Sequence, residues 1–319
     1  MLDAGKAAQE PAERVSVVMT CFNEGPWLRQ AVRSVLDQTA AEAIESIIIV
    51  DDGSDEPTLA VLDEVAGWDS RITTVHAKGN GLAKNRNLAV SRTSAGLVAL
   101  LDSDDYWHPT KIARQLDLIR RNPSAGVVYT GFWLFDDGQD ELRSVIVTDH
   151  ARAKDSTLAY FLLDPPIVPS TIVFRRGIFD YVGGFDESIQ VFEDTEFYLR
   201  LSQTAGLAAI AEPLTYKRNH RGSMTSKRTN LMMHHAYVAF HFARREPRLL
   251  PYVGRRLAER ARKLGNLEAK DGNGEAAAHY YGLALSLDPL RPMNWGTFLA
   301  HKLGGNAIIR SMRASYGGL

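Results

Sequence analysis

Leu97-Val98-Ala99-Leu100-Leu101 runs without a break into Asp102-Ser103-Asp104-Asp105. Five apolar residues are too few for a buried helix and suit a strand covered on both faces. The three carboxylates then stand at the carboxyl end of that strand. The same pattern recurs upstream. Ser46–Val50 runs into Asp51-Asp52-Gly53-Ser54-Asp55, and Val15–Met19 runs into Thr20-Cys21-Phe22-Asn23-Glu24-Gly25. Helical patterns separate these strands. One starts at Pro26 with Leu28, Val32, Val35 and Leu36 on one face, a second covers about Pro57–Ala66, and a third covers Leu82–Ser91. Arg71–His76 reads as a further strand. Apolar strands alternating with amphipathic helices predict an α/β fold, a mixed and mostly parallel sheet with helices on both faces. Ligands in such sheets bind at the carboxyl ends of the strands.

Beyond Pro109 the order is less regular. A helix is expected over Thr110–Arg121, strands over Gly126–Thr130 and near Ser170–Phe174, and a helix over Glu193–Thr204. From Leu231 onward the chain reads as wholly helical, and Glu275–Pro289 resembles the second helix of a tetratricopeptide unit. The expected organisation is a disordered tail over 1–13, a nucleotide-binding domain over 14–230 and a helical region over 231–319.

The 319 residues are 45% hydrophobic and 24% charged, an ordinary globular composition. A single cysteine, Cys21, excludes an internal disulfide framework and fits a reducing cytoplasm. The opening MLDAGKAAQEPAER lacks the apolar core of a secretory leader, and no apolar run reaches the roughly 18 residues needed to cross a bilayer. A cytoplasmic protein is expected, with no nucleic-acid partner. Net charge is −1, but Lys217–Lys263 holds thirteen Lys or Arg against two Glu. That stretch is either a solvated helical surface or a basic face for phosphates or anionic lipid.

Five constellations can carry chemistry. Asp102 and Asp104, after an apolar strand, offer hard oxygen donors suited to Mg²⁺ or Mn²⁺, although acidic turns are common without a metal. Asp51-Asp52-Gly53 is either an Asp-Gly turn or a carboxylate for a nucleobase or ribose. Gly81 opens a helix bearing Lys84 and Arg86, which can hold a pyrophosphate or serve as a salt-bridged surface. Glu193-Asp194 at a helix start is either a cap or a general base. His220, in the basic loop Tyr216–Met224, can complete a metal shell or contact a diphosphate, or stand idle on the surface.

Together these stretches resemble the family 2 glycosyltransferases, which have the GT-A fold, a Rossmann-like nucleotide-binding domain. The matching pieces are VSVVMTCFNEG from Val15, IIIVDDGSDE from Ile47, GLAKNRNLAV from Gly81 and ALLDSDDYW from Ala99. GGFDE from Gly183, FEDTEFYLRL from Phe192 and YKRNHRGSMT from Tyr216 complete them in order, over roughly 14–225. The resemblance implies an inverting transfer from a nucleotide-diphosphate sugar, UDP foremost, to an acceptor hydroxyl in cell-envelope or capsular glycan synthesis. It implies that Thr20, Phe22, Glu24 and Asp52 line the base and ribose pocket, with Arg86 near the diphosphate and Asp102 on the ribose. Asp104 and His220 would hold Mn²⁺ or Mg²⁺. Asp194, beside Glu193, would be the catalytic base, and Gly184, Phe185 and Asp186 would frame a glycan or lipid-linked acceptor.

The sequence departs from the family pattern at Lys84-Asn85, where small residues are common, and at Thr195, where an aromatic is frequent. A nicotinamide oxidoreductase would show G-x-G-x-x-G where this chain has TCFNEG. A catalytically degenerate GT-A scaffold or nucleotide-binding module is the alternative from another class. The helical region is expected to pack on the catalytic domain. There it would either bring Arg244, Arg245, Arg255, Arg256 and Arg260 near a membrane or a lipid-linked acceptor, or serve simply as a stabilising or dimerising tail.

Overall fold

The computed structural model describes residues 13–147, 156–220, 222 and 230–303, so the tail expected over 1–13 lies almost wholly outside the described residues. The strands in chain order are β1 (Val15–Cys21), β2 (Ile44–Asp51), β3 (Ile72–His76), β4 (Leu97–Asp102) and β5 (Tyr106–Trp107). They continue with β6 (Ala125–Asp136), β7 (Arg143–Val145), β8 (Ile172–Arg175) and β9 (Gly206–Asn219). The helices are α1 (Gly25–Leu36), α2 (Glu56–Ala66), α3 (Leu82–Ser91), α4 (Lys111–Arg121), α5 (Ser156–Leu163) and α6 (Arg176–Val182). Then come α7 (Glu193–Thr204), α8 (Leu231–Arg245), α9 (Val253–Lys270), α10 (Gly274–Leu287) and α11 (Pro292–Lys302).

All the strands join one sheet in the order β3-β2-β1-β4-β8-β6-β9-β5, with β7 paired to β6. β3, β2, β1 and β4 form a parallel block, in which Val17 lies opposite both Ile47 and Ala99. β8 runs antiparallel between β4 and β6, and β6 and β9 are again parallel. β1, β4 and the second half of β2 are buried, with Leu28, Val32, Ile112 and Leu116 of α1 and α4 packed in the core against them. Burying one such aliphatic side chain stabilises the fold by about 1.5–3 kcal/mol relative to leaving it exposed.

Local sequence sets the helix entries. Pro26 occupies the first turn of α1, where its missing N–H is no loss. The Asp55 carboxylate caps α2 by accepting from the Thr58 amide at 3.1 Å. Gly81 enters α3 at φ +79, a conformation unfavourable for any residue with a Cβ.

β9 was not expected from the sequence. Its first half is rich in alanine, and Glu212-Pro213 interrupts it. The β6–β9 ladder steps from Thr130↔Ile210 to Gly131↔Pro213, so Ala211 and Glu212 bulge out where proline cannot donate. Gly131 is required opposite that bulge, since a Cβ there would meet the Ala211 and Val145 carbonyl oxygens at 2.7 and 2.9 Å.

The chain divides into two compact units. The first comprises Met1–Ala151, Ile167–Gln190 and Thr204–Asn219; the second comprises Arg152–Pro166, Val191–Gln203 and His220–Leu319. The expected boundary at 230 therefore differs from the observed one, because two excursions from the middle of the chain join the C-terminal helices. Within the second unit, Gly265 of α9 lets Tyr281 of α10 approach closely, and the Tyr281 hydroxyl donates to Asn266 Oδ1 at 3.0 Å. No helix of the described residues is long and apolar enough to cross a membrane.

Candidate active site

In the order β2-β1-β4 the chain leaves β1 toward opposite sides, so the crevice at the carboxyl ends of β1 and β4 is a topological switch point. The loops after β1, β2 and β4 are laced together there. Asp51, buried at the end of β2, accepts from the amides of Gly53 at 3.2 Å and Ser54 at 3.1 Å. Asn23, at φ +59, donates its amide to Ser54 Oγ at 2.9 Å and accepts from the Asp55 amide at 2.8 Å. Ser103 donates to the carbonyl of buried Thr20 at 2.9 Å and is hydrogen-bonded to the Glu24 carboxylate. Phe22 stands 57% exposed beside them.

Asp52, expected to meet a base or sugar, uses both carboxylate oxygens to hold the entry to α3. They accept from the amides of Asn80 at 2.8 Å and Gly81 at 3.0 Å. One turn into α3, Arg86 is only 3% exposed and donates to Asp102 Oδ1 at 2.8 Å. The Phe185 ring backs its guanidinium at 5.6 Å. Phe185 is itself buried, so it supports Arg86 rather than offering a face to an acceptor. Asn87 clamps that segment by donating to the Phe185 carbonyl and accepting from its amide, at 2.9 and 2.8 Å. Gly184, at φ +71, leaves room for the clamp, and Asp186 accepts from the Ser188 amide and hydroxyl.

The Asp102, Asp104 and Asp105 carboxylates bring ligand atoms within 4.8 Å of one another. Asp105, passed over by the sequence reading, is buried. It accepts from the Arg218 amide at 2.9 Å and from Ser170 Oγ at 2.6 Å. Burial raises its pKa to about 7, with Lys217 opposing and Asp104 and Asp102 reinforcing. Burial, and after it the charge of Asp104, pushes Glu24 up to about 8. Carboxylates this crowded resist ionising together, and a divalent cation would relieve them. The donors are hard oxygens, so the set fits Mg²⁺ or Mn²⁺.

Arg218 also escaped the sequence reading, although it lies inside the quoted YKRNH segment. Its Nε donates to the Asp104 carbonyl at 3.0 Å, and its terminal nitrogens bind Asp137 and Gln30. It thereby fixes the backbone of the acidic loop. Tyr106 stacks on Tyr216 at 4.4 Å beside it, at the edge of a cavity of about 420 Å³ that Phe135, Gln139 and Asp140 also line.

Glu193, Asp194 and His220 belong to the second unit. Glu193 is buried, and Asp194 Oδ1 accepts from the Thr195 amide at 2.7 Å in the first turn of α7. His220 Nδ1 accepts from the Gly222 amide at 3.2 Å.

Part of the basic stretch is engaged in ion pairs within the second unit. Arg256 is buried and donates to Asp164 at 2.9 Å, Arg260 and Lys263 converge on the same carboxylate, and Arg245 pairs with Glu196 at 3.0 Å. Burial alone would raise the Asp164 pKa, but the three cations hold it well below the usual carboxylate range. Of the five arginines, Arg244 and Arg255 are exposed with no ion-pair partner among the described residues.

Comparison with known proteins matches residues 16–183 to the model of glycosyl transferase family 2. Chondroitin synthase of Escherichia coli is 26% identical over 226 residues, 66% of this chain and 30% of that protein. The chain thus spans under a third of that relative. A putative teichuronic acid biosynthesis glycosyltransferase of Bacillus subtilis is 33% identical over 145 residues, 45% of this chain and 56% of that one. The crystal structure of S. aureus TarS 1-349 in complex with UDP-GlcNAc superposes with a TM-score of 0.62 at 15% identity, covering 95% of this chain and 91% of that one.

Proposed function

The chain belongs to glycosyl transferase family 2, and we propose that it moves a sugar from UDP onto an acceptor hydroxyl with inversion at the anomeric carbon. It is a glycosyltransferase of the GT-A fold. The carrying observation is the convergence of Asp102, Asp104, Asp105 and the Arg86–Asp102 pair on the switch point between β1 and β4. TarS crystallised with UDP-GlcNAc supports a UDP-sugar donor. The names of the E. coli and B. subtilis relatives support a cell-envelope or capsular glycan as the product.

In this reading Phe22 stacks on the base, while Thr20, Glu24 and Asp52 shape its pocket. Arg86 pairs with the diphosphate, and Asp102, which orients it, meets the ribose. Asp104, with Asp105 beside it, would hold Mn²⁺ or Mg²⁺, and His220 is the further ligand that the family resemblance implies. When bound, the cation offsets charge on the departing diphosphate. Asp194, with Glu193 beside it, takes the proton from the acceptor hydroxyl. The new C–O bond forms on the face opposite the leaving group, and the bond from the anomeric carbon to the diphosphate oxygen breaks with its electron pair going to UDP. Gly184 and Asp186 lie on the acceptor side. Arg244 and Arg255, and the exposed Met233, Tyr237 and Phe240 of α8, are the residues that would meet anionic lipid.

Calorimetric titration with UDP, dTDP and GDP, each with and without Mn²⁺, tests this. Metal-dependent UDP binding that is lost in Asp104→Ala is expected. No binding of any nucleotide would favour a degenerate scaffold instead.

A further inference from the structure

Helix α7 starts in an unusual way. The carbonyl of Phe192 accepts the first helical hydrogen bond, from the Glu196 amide at 3.2 Å, which makes Phe192 the N-cap. N-caps are ordinarily Ser, Thr, Asp or Asn with extended backbone, whose side chains accept a first-turn amide. A phenylalanine can accept none, and this one has φ +65, a region that a bulky L-residue enters only when its surroundings force it. Glu193 and Asp194 are the next two residues.

What holds Phe192 comes from α8, beyond the residues that match the family model. The His235 imidazole lies flat on the Phe192 ring, with centroids 3.9 Å apart and planes 13° from parallel. His235 is only 5% exposed. It is packed near Arg256, Arg260 and Lys263 of α9 and near Asp164, which follows α5. Burial first, and then Arg260 and the other two cations, disfavour its protonation, so the ring that stacks is neutral. One turn further along α7, the fully buried Glu196 is paired with Arg245 from the last turn of α8 at 3.0 Å and with Arg200 at 2.7 Å. Helix α8 therefore grips the first turn of α7 at two points that flank Asp194.

We propose that His235 is a positioning residue for Asp194, pinning the Phe192 ring so that the left-handed turn before α7 presents the carboxylate for proton transfer. The proposal rests on Asp194 being the base. Strain at one residue is kept because a stacked ring over-determines it, and such outliers cluster where geometry matters for chemistry. The helical region after 230 is then part of the catalytic apparatus rather than an appendage.

The test uses the full chain with His235→Leu, which keeps volume but loses the flat ring, and His235→Phe, which keeps the ring. Hydrogen exchange read by mass spectrometry needs no substrate. Exchange at the Thr195 and Glu196 amides should rise about tenfold or more in His235→Leu, with α9 and α10 unchanged, and should return to wild type in His235→Phe. Unchanged exchange in His235→Leu would overturn the proposal. Turnover of whichever UDP-, dTDP- or GDP-sugar the wild type hydrolyses with Mn²⁺ supplies the second reading. His235→Leu should lower kcat about tenfold with KM nearly constant, and His235→Phe should recover it. If Asp194→Asn abolishes turnover while folded His235→Leu retains it, the positioning role fails alone. If Asp194→Asn retains turnover, the assignment of the base fails first.

Discussion

Replacing His235 by phenylalanine removes a proton acceptor from the unfolded chain but not from the folded one, and this sets a measurable pH dependence. Burial, with Arg260 as the next cause, holds the folded imidazole down to about 2. An unfolded histidine titrates near 6.5. As pH falls below about 6.5 the unfolded chain binds a proton that the folded protein refuses, so acid favours unfolding. At pH 5 the gap is about 1.5 pH units, worth about 2 kcal/mol at about 1.4 kcal/mol per unit; at pH 7 it is nearly nil. The wild type should therefore lose about 2 kcal/mol more than His235→Phe between pH 7 and pH 5. For a unit of this size that is roughly 6 °C in Tm. Urea denaturation of both proteins at several pH values measures the difference directly. The other eight histidines are common to both proteins and cancel. Parallel pH profiles would refute the reasoning, since they would mean that the folded imidazole protonates as readily as the unfolded one.

Gly184→Ala should destabilise by about 1–3 kcal/mol, because a Cβ at φ +71 would meet Asn87 Oδ1 at 2.7 Å and the Phe179 ring at 3.0 Å. The neighbouring Gly183→Ala, with nothing within 4 Å, should cost only about 1 kcal/mol in the same urea titration. Cys21 is buried in β1, and burial followed by the Glu24 charge pushes its thiol up to about 12. Iodoacetamide at pH 8 should leave the native protein unlabelled and modify Cys21 only as fast as β1 opens, as mass spectrometry can follow. Flotation with phosphatidylglycerol vesicles at low salt should recover the wild type but not the double variant Arg244→Glu, Arg255→Glu. Equal recovery of the two would remove those residues from any lipid contact.

The sequence carried the parallel block well, because β1, β2 and β4 each hold an apolar run that ends in a polar loop, and the bounds of α3 were legible to the residue. Partners distant along the chain were not legible. Asp164 lies 92 residues before Arg256, so counting charge along Lys217–Lys263 could not show that Arg256, Arg260 and Lys263 converge on one buried carboxylate. β9 was hidden by its alanines and by Pro213, which sits harmlessly at a bulge. β5, two residues long, is defined by the pairing of Tyr106 with Tyr216 and of Trp107 with Thr215. Within the site, residue types near each strand end were legible. That Asp52 spends its carboxylate on the Asn80 and Gly81 amides, and that Asp105 and Arg218 brace the acidic loop, follows from three-dimensional register alone.

The second unit draws its segments from 152–166, 191–203 and 220 onward, and this has a consequence during synthesis. Helices α5 and α7 leave the ribosome before the helices that cover them. At about 5–20 residues per second, Lys263 follows Gln203 by roughly 3–12 seconds. Through that interval Phe161, Phe197 and Leu201, all buried in the finished protein, have no core to enter. Nascent chains stalled before α9 should therefore engage chaperones that bind apolar segments, and release should coincide with the emergence of Arg256 and its capture by Asp164.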